Sequence, residues 1–187
     1  LGKGPEEFIN KLNGMFSIAI HDSKISTTWI IRDRIGIKPL FIAKNNKSIL
    51  FASEIKSILQ SNIKREIDYE SLDKLLTFNF VPPPSTLFKG IKHLPPGTIG
   101  VIKNNNFVIK KWWSIEDNIS CPKNHSGDKL MEEKIKNLRD LLDDSVRIRM
   151  RSDAPYGAFL SGGIDSSTVV GIMNQFKKDQ INTYSIG

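Results

Sequence analysis

A chain of 187 residues, 39% hydrophobic and 25% charged, has the composition of a globular protein with one domain or two small ones. No apolar run reaches the roughly 18–20 residues a membrane helix needs, no secretory hydrophobic segment opens the chain, and a lone cysteine, Cys121, excludes an intrachain disulfide framework. The net charge of +7 comes with scattered lysines, and no aromatics interleave with the one local basic cluster, "VRIRMR", which speaks against a nucleic-acid groove.

The opening "LGKGPEEF" lacks a methionine and reads as the interior of a longer chain. The first sixty residues read as antiparallel β, and strands dominate to about residue 113. "MFSIAIHD" alternates, placing Phe16, Ile18 and Ile20 on one face of a strand. "TTWIIRD" follows a polar turn. "KPLFIA" and "SILFAS" flank "KNNK" as a hairpin. "SEIKSILQS" is expected to be a short helix with Ser53 as N-cap, and Asp68 is expected to cap a second helix, "YESLDKLLTF". The prolines of "VPPPS" remove amide donors and favour an extended chain. "GTIGVIKNNNFVIKKWW" reads as another hairpin, turning at Asn104 to Asn106.

A polar stretch, "SIEDNISCPKNHSGD", then reads as a linker over residues 114–128, separating domains at 1–113 and 129–187. Within it Cys121 lies four residues before His125, but two ligands do not make a zinc site. His21 and His93 read as turn or surface histidines. Beyond the linker, Met131, Ile135, Leu138, Leu142 and Val146 recur at helical spacing, with Asp128 as cap and Glu132 and Glu133 in the first turn. Arg147, Arg149 and Arg151 fall where that helix should end, a favourable and solvated place for cations.

"SDAPYGAFL" reads as a short buried strand, followed by a glycine loop, a helix from about Ser166 to Lys178, and a strand in "INTYSIG". Strand, helix, strand implies a parallel βαβ unit. The loop "SGGIDSS" joins its first strand to its helix. The leading amides of a helix lack intrahelical partners and carry partial positive charge, so such a junction receives anions. Gly162 and Gly163 allow close approach, and Ser161, Ser166 and Ser167 add hydroxyls. Asp165 would repel a phosphate unless a divalent cation lies between them. No lysine follows the glycines, so this is not the P-loop of mononucleotide-binding proteins.

"SGGIDSS" resembles the pyrophosphate loop of ATP-pyrophosphatase enzymes. "LNGMFSIAIHD", "IIRDRIGIKPLF", "FASEIKSIL", "VPPPSTLFKGIKHLPPG" and "SVRIRMRSDAPYGAFLSGGIDSS" together resemble glutamine-hydrolysing asparagine synthetases, in that family's order. The resemblance implies an α/β plus antiparallel β chain: part of an N-terminal-nucleophile, αββα-type glutaminase domain, then the first βαβ part of an adenine-nucleotide α-hydrolase-like parallel sheet. It implies a carbon–nitrogen ligase. Ammonia from glutamine would attack a β-aspartyl-AMP intermediate made from aspartate and ATP, giving asparagine, AMP and pyrophosphate.

Carried over by the same resemblance, Ser161, Gly162, Gly163, Ser166 and Ser167 would hold pyrophosphate, and Asp165 would act through Mg²⁺ on the phosphates. Phe159 or Leu160 would meet the nucleotide at the strand end, and Ile186 would lie beside adenine. The partners implied are small molecules (aspartate, glutamine and ATP), with no nucleic acid or membrane, a cytoplasmic setting, and room for a homodimer of the full-length enzyme. The family's nucleophilic cysteine is not matched, since residue 1 is Leu, and no catalytic residue is assigned. Asp33, in "RDR", matches a later strand and reads as structural. The 187 residues alone are therefore expected neither to hydrolyse glutamine nor to make asparagine. Other amide-forming members, such as a β-lactam synthetase or a sugar or peptide amidotransferase, share the loop. A non-catalytic nucleotide-binding remnant is the reading from another class.

Overall fold

A computed structural model describes residues 4–45, 48–119, 128–177 and 179–186. Cys121 and His125 lie outside the described residues. The chain divides into two compact units, Leu1–Ser120 and Cys121–Gly187.

The first unit begins with a helical turn, α1 (Glu6–Ile9), followed by β1 (Ser17–Asp22) and β2 (Thr27–Arg32). Next come β3 (Phe41–Lys44), β4 (Ile49–Ala52) and the short helices α2 (Ile55–Ile58) and α3 (Tyr69–Phe78). The strands β5 (Ile91–His93), β6 (Thr98–Lys103) and β7 (Asn106–Lys111) complete it. Two antiparallel sheets result, in the orders β1-β2-β6-β7 and β4-β3-β5.

The side-chain alternation of β2 explains why both its faces are covered. Trp29 and Ile31 pack with Ile9 of α1 and Ile99, and Phe16, Ile18 and Ile20 join that cluster from the β1 side as their alternation predicts. Ile30 points the other way, into a cluster with Leu40 and Leu94 that also receives Ile42 of the smaller sheet. Ala43, Ile58 and Ile91 form a third cluster, between that sheet and α2. Ile9, Ile30, Ile31, Ile91, Leu94 and Ile99 are each under 2% exposed. Burying such a side chain contributes about 1.5–3 kcal/mol.

Local chemistry fixes the connections. Asp68 caps α3 as expected, accepting the Glu70 amide at 3.2 Å and the Ser71 hydroxyl at 3.0 Å. The β6–β7 hairpin is tighter than expected: Asn104 and Asn105, both at positive φ, make a two-residue turn, and Asn106 already pairs with Lys103. Asparagine tolerates the left-handed region, and that backbone twist suits a hairpin. Ser53 is not a cap. Residue 54 holds that position, in extended geometry and without a side-chain bond, and α2 lasts one turn. The proline run is not uniformly extended either, since it turns at residues 83 and 84, with the Ser85 amide donating to the Pro82 carbonyl at 3.3 Å. Residues 116–118 form a 3₁₀ turn, in which the Ser114 hydroxyl donates to Asp117 at 2.7 Å.

The second unit comprises α4 (Asp128–Arg149), β8 (Gly157–Phe159), α5 (Ile164–Phe176) and β9 (Asn182–Tyr184). β8 and β9 pair in parallel across α5, confirming the βαβ reading. α5 starts two residues earlier than the serines suggested, with Gly163 as its N-cap. β8 was expected to be buried, yet Phe159 is 79% exposed, because one helix layer covers only one face of a two-stranded sheet. The stripe on α4 exists, but Met131, Ile135 and Leu138 are exposed within this unit. Arg147 and Arg149 stand in its last turn, with Arg147 paired to Asp144 and Arg149 donating to the Ser145 carbonyl. Among the described residues no helix is long and apolar enough to cross a membrane.

Candidate functional site

The loop of residues 161–167 sits at the carboxyl end of β8, where open parallel sheets place their ligands. Leu160 continues the ladder by donating its amide to the Tyr184 carbonyl at 2.8 Å. Gly162 then turns the chain at φ +80°, a region that costs a side chain about 1–2 kcal/mol. Gly163 has ordinary dihedrals, φ −76° and ψ 162°. A Cβ built there meets only the Ser161 hydroxyl, at 3.6 Å. The fold therefore requires glycine at 162, whereas at 163 it leaves an open space that a methyl would fill.

Among the described residues, the amides of Gly162, Gly163, Ile164, Asp165 and Ser166 donate to no protein acceptor, and the first α5 bond is Ser167 to the Gly163 carbonyl at 3.1 Å. Successive free amides at a helix start are an anion receptor by geometry alone. Ser161 and Ser167 are exposed at this mouth. Ser166 behaves differently. Its hydroxyl donates to the Gly163 carbonyl at 3.1 Å and receives the Ser161 amide at 3.3 Å, with the Ser161 hydroxyl 3.1 Å away. It braces the loop from inside, and to meet a phosphate it must exchange that partner. This double use was not legible from the motif.

Asp165 is exposed in the first turn of α5. No group of three or more His, Cys, Asp or Glu side chains that could cage a metal occurs among the described residues. One carboxylate beside an anion mouth fits magnesium, which takes one or two carboxylates together with phosphate oxygens. Phe159 and Leu160 point to opposite faces. Leu160 lines a cleft of about 550 Å³ with Ser167 and Val170 of α5, while the Phe159 ring lies 6.4 Å from that of Tyr184. Ile186 is 96% exposed just past β9.

In the first unit, Asp33 is structural, as its place in "RDR" suggested. It is 2% exposed and accepts four backbone amides: Gly36 at 2.7 Å, Ile37 at 3.0 Å, Lys38 at 3.0 Å and Phe16 at 3.3 Å. Burial pushes its carboxyl pKa up, but the four amides outweigh burial and hold it below the usual carboxylate value. Arg32, also buried, does the converse. Its guanidinium donates to the carbonyls of Leu94, Gly36 and Lys38 at 2.6, 2.7 and 3.0 Å. Burial lowers its pKa, partly offset by the Asp33 charge. Sequence reasoning passed over Arg32, although an arginine ending an otherwise apolar strand was a signal.

His93 is half-buried rather than freely exposed. It stands in β5 with its ring 4.4 Å from that of Phe41, and its buried Nδ1 has no partner among the described residues. Burial, then the Arg32 charge, holds its pKa below the ordinary histidine value. His21 is exposed and pairs with the Thr28 hydroxyl at 2.8 Å.

Two antiparallel sheets followed by a βαβ element with an anion-receptive loop describe a mixed α/β chain of two units. The chain belongs to the glutamine amidotransferase domain family, whose model matches residues 2–113, and the asparagine synthase model matches residues 137–187. It is 39% identical over 182 residues to asparagine synthetase [glutamine-hydrolyzing] 1 of Bacillus subtilis, covering 97% of this chain and 28% of that protein. It is 36% identical over 185 residues to a putative asparagine synthetase [glutamine-hydrolyzing] 2 of Methanocaldococcus jannaschii, covering 96% and 35%. A third relative, asparagine synthetase [glutamine-hydrolyzing] 3 of Bacillus subtilis, is 34% identical over 187 residues, covering 97% and 29%. The chain thus spans about a third of the length of these relatives, and the resemblance first drawn from its motifs holds in both units.

Proposed function

We propose that this chain is part of a glutamine-hydrolysing asparagine synthetase and that residues 161–167 hold the pyrophosphate of ATP. The observation that carries the reading is the run of unpartnered amides at the start of α5, directly after a parallel strand. In this reading the first unit belongs to an N-terminal-nucleophile glutaminase domain and the second opens an adenine-nucleotide α-hydrolase-like sheet. The match of residues 2–113 to the glutamine amidotransferase family supports the first, and the parallel βαβ supports the second.

An aspartate carboxylate oxygen attacks the α-phosphorus of ATP, the α–β bridging bond breaks, and pyrophosphate leaves. Ammonia then attacks the acyl carbon, and AMP departs with the carboxylate oxygen. The amides of residues 162–166 and the Ser161 and Ser167 hydroxyls orient the diphosphate and stabilise its developing charge. Gly163 leaves the space the diphosphate occupies, and Leu160 bounds the strand end on the α5 side. Asp165 would hold magnesium beside the phosphates, which would supply further charge neutralisation.

The test is the intact protein incubated with ATP, glutamine and aspartate labelled with ¹⁸O in its side-chain carboxylate. Asparagine, pyrophosphate and ¹⁸O-labelled AMP are expected. Release of ADP and phosphate, or unlabelled AMP, would refute the reading. Labelled AMP that forms only with a different carboxylate acceptor would move the assignment to another amide-forming member of the family.

A further inference from the structure

At the end of the β8–β9 ladder a side chain replaces a backbone rung. Phe159 pairs with Tyr184, so in parallel register the next rung would carry the Ile186 amide to the Leu160 carbonyl. That bond is not made. The Ser185 hydroxyl donates to the Leu160 carbonyl instead, at 2.6 Å. The carbonyl of Leu160 and the amide of Ser161 belong to one planar peptide unit, so fixing the oxygen fixes where the N–H points. That N–H donates to the Ser166 hydroxyl at 3.3 Å. The peptide plane at the threshold of the loop is therefore clamped from both sides by serine hydroxyls, one from beyond β9 and one from α5.

We infer that Ser185 is a positioning residue for diphosphate binding, acting through the Leu160–Ser161 peptide. The inference rests on the loop reading above. Without the Ser185 hydroxyl, the Leu160 carbonyl is free to take the Ile186 amide and extend the ladder by one rung. The peptide plane then rotates and the Ser161–Ser166 brace is lost. One bond replaces another at the sheet edge, so the fold loses only the exposed Ser161–Ser166 brace, whereas the anion mouth is deformed.

The test uses the intact protein and magnesium pyrophosphate as probe, by calorimetric titration, with ATP KM and kcat measured in parallel. Ser185→Thr keeps the hydroxyl, and Ser185→Val keeps the shape of that threonine without the hydroxyl. Asp165→Ala reports on the loop reading itself. The expected result is pyrophosphate affinity within twofold of wild type for S185T. For S185V it should be about three- to tenfold weaker, the worth of one hydrogen bond, with at most a small fall in thermal midpoint and a rise in ATP KM larger than any fall in kcat. Equal affinities for S185T and S185V, with D165A impaired, would overturn the role of Ser185 and leave the loop reading standing. Wild-type pyrophosphate affinity in D165A would overturn the loop reading and this inference with it. A drop in thermal midpoint in S185V at unchanged affinity would show a merely structural hydroxyl and also overturn it.

Discussion

Replacing Asp33 by Asn changes one oxygen for an amino group and tests how the segment of residues 33–38 is held. Oδ1 serves Gly36 and Ile37, and Oδ2 serves Lys38 and Phe16. An Asn side chain can keep two of these amides on its single oxygen, but its NH₂ faces the other two donor against donor. Losing two bonds to a charged acceptor at roughly 1.5 kcal/mol each, and weakening the other two, costs about 3–4 kcal/mol. With a urea slope of about 1.5 kcal/mol/M the midpoint should fall by about 2 M. All three tryptophans, Trp29, Trp112 and Trp113, lie in the first unit, so their fluorescence follows that unit in urea titrations of the chain. The pH dependence has a definite sign. The folded-state pKa of Asp33 is depressed, so its contribution is complete above the ordinary value of 3.8 and is lost as pH falls through the folded value. Asn does not titrate, and the gap between the two proteins should be constant near neutrality and shrink below that pH. A midpoint shift under about 0.5 M at neutral pH, or a gap that does not narrow in acid, would show that the carboxylate does not organise the segment.

Gly163→Ala should fold with wild-type stability, since its dihedrals suit alanine, yet lower ATP affinity at least tenfold by filling the anion space. Gly162→Ala should lose affinity and also destabilise the second unit by about 1–2 kcal/mol through its positive φ, and equal behaviour of the two variants in melting and ATP titration would contradict this contrast. His93→Phe should flatten the pH dependence of the urea midpoint. The folded pKa of His93 lies below 6.5, so its contribution is full above that pH and decays as pH falls toward the folded value, a slope that phenylalanine lacks. Thr86→Val should cost about 1–3 kcal/mol in urea unfolding, because the buried Thr86 hydroxyl meets the carbonyls of Ile91 and Phe88 at 2.8 and 3.1 Å and the Phe88 amide at 3.2 Å. An unchanged midpoint would mean water replaces these bonds.

Where local chemistry decides structure, the sequence was readable. The alternation of Phe16, Ile18 and Ile20, the Asp68 cap and the glycine-loop junction each follow from bonds within a few residues. Errors arose where distant groups decide. Ser53 looks like a cap, but α2 starts at Ile55, so residue 54 takes the cap position. His93 looks like a turn residue until β5 pairs with β3 and sets it against Phe41. Asp33 was read as structural, but of its four amides only that of Phe16 comes from far along the chain, a contact that spacing does not reveal, whereas those of 36–38 are local. In the loop, the hydroxyls of Ser161, Ser166 and Ser167 look equivalent in sequence. Only the turn at Gly162 folds Ser166 inward onto the Gly163 carbonyl. Ser185 went unnoticed because its partner lies 25 positions away.

The Arg32–Asp33 arrangement has a bearing on how this surface can change. Both charged groups grip main chain, so the clasp does not read the side chains it holds. Ile35 and Ile37 project outward at 73% and 55% exposure. Gly36 is the exception, since at φ +73° a Cβ would come within 2.9 Å of Pro96. Positions 35, 37 and 38 can therefore be repainted with polar, charged or bulky groups on an unaltered backbone. Proline alone is barred at 37 and 38, because each must present an N–H to Asp33.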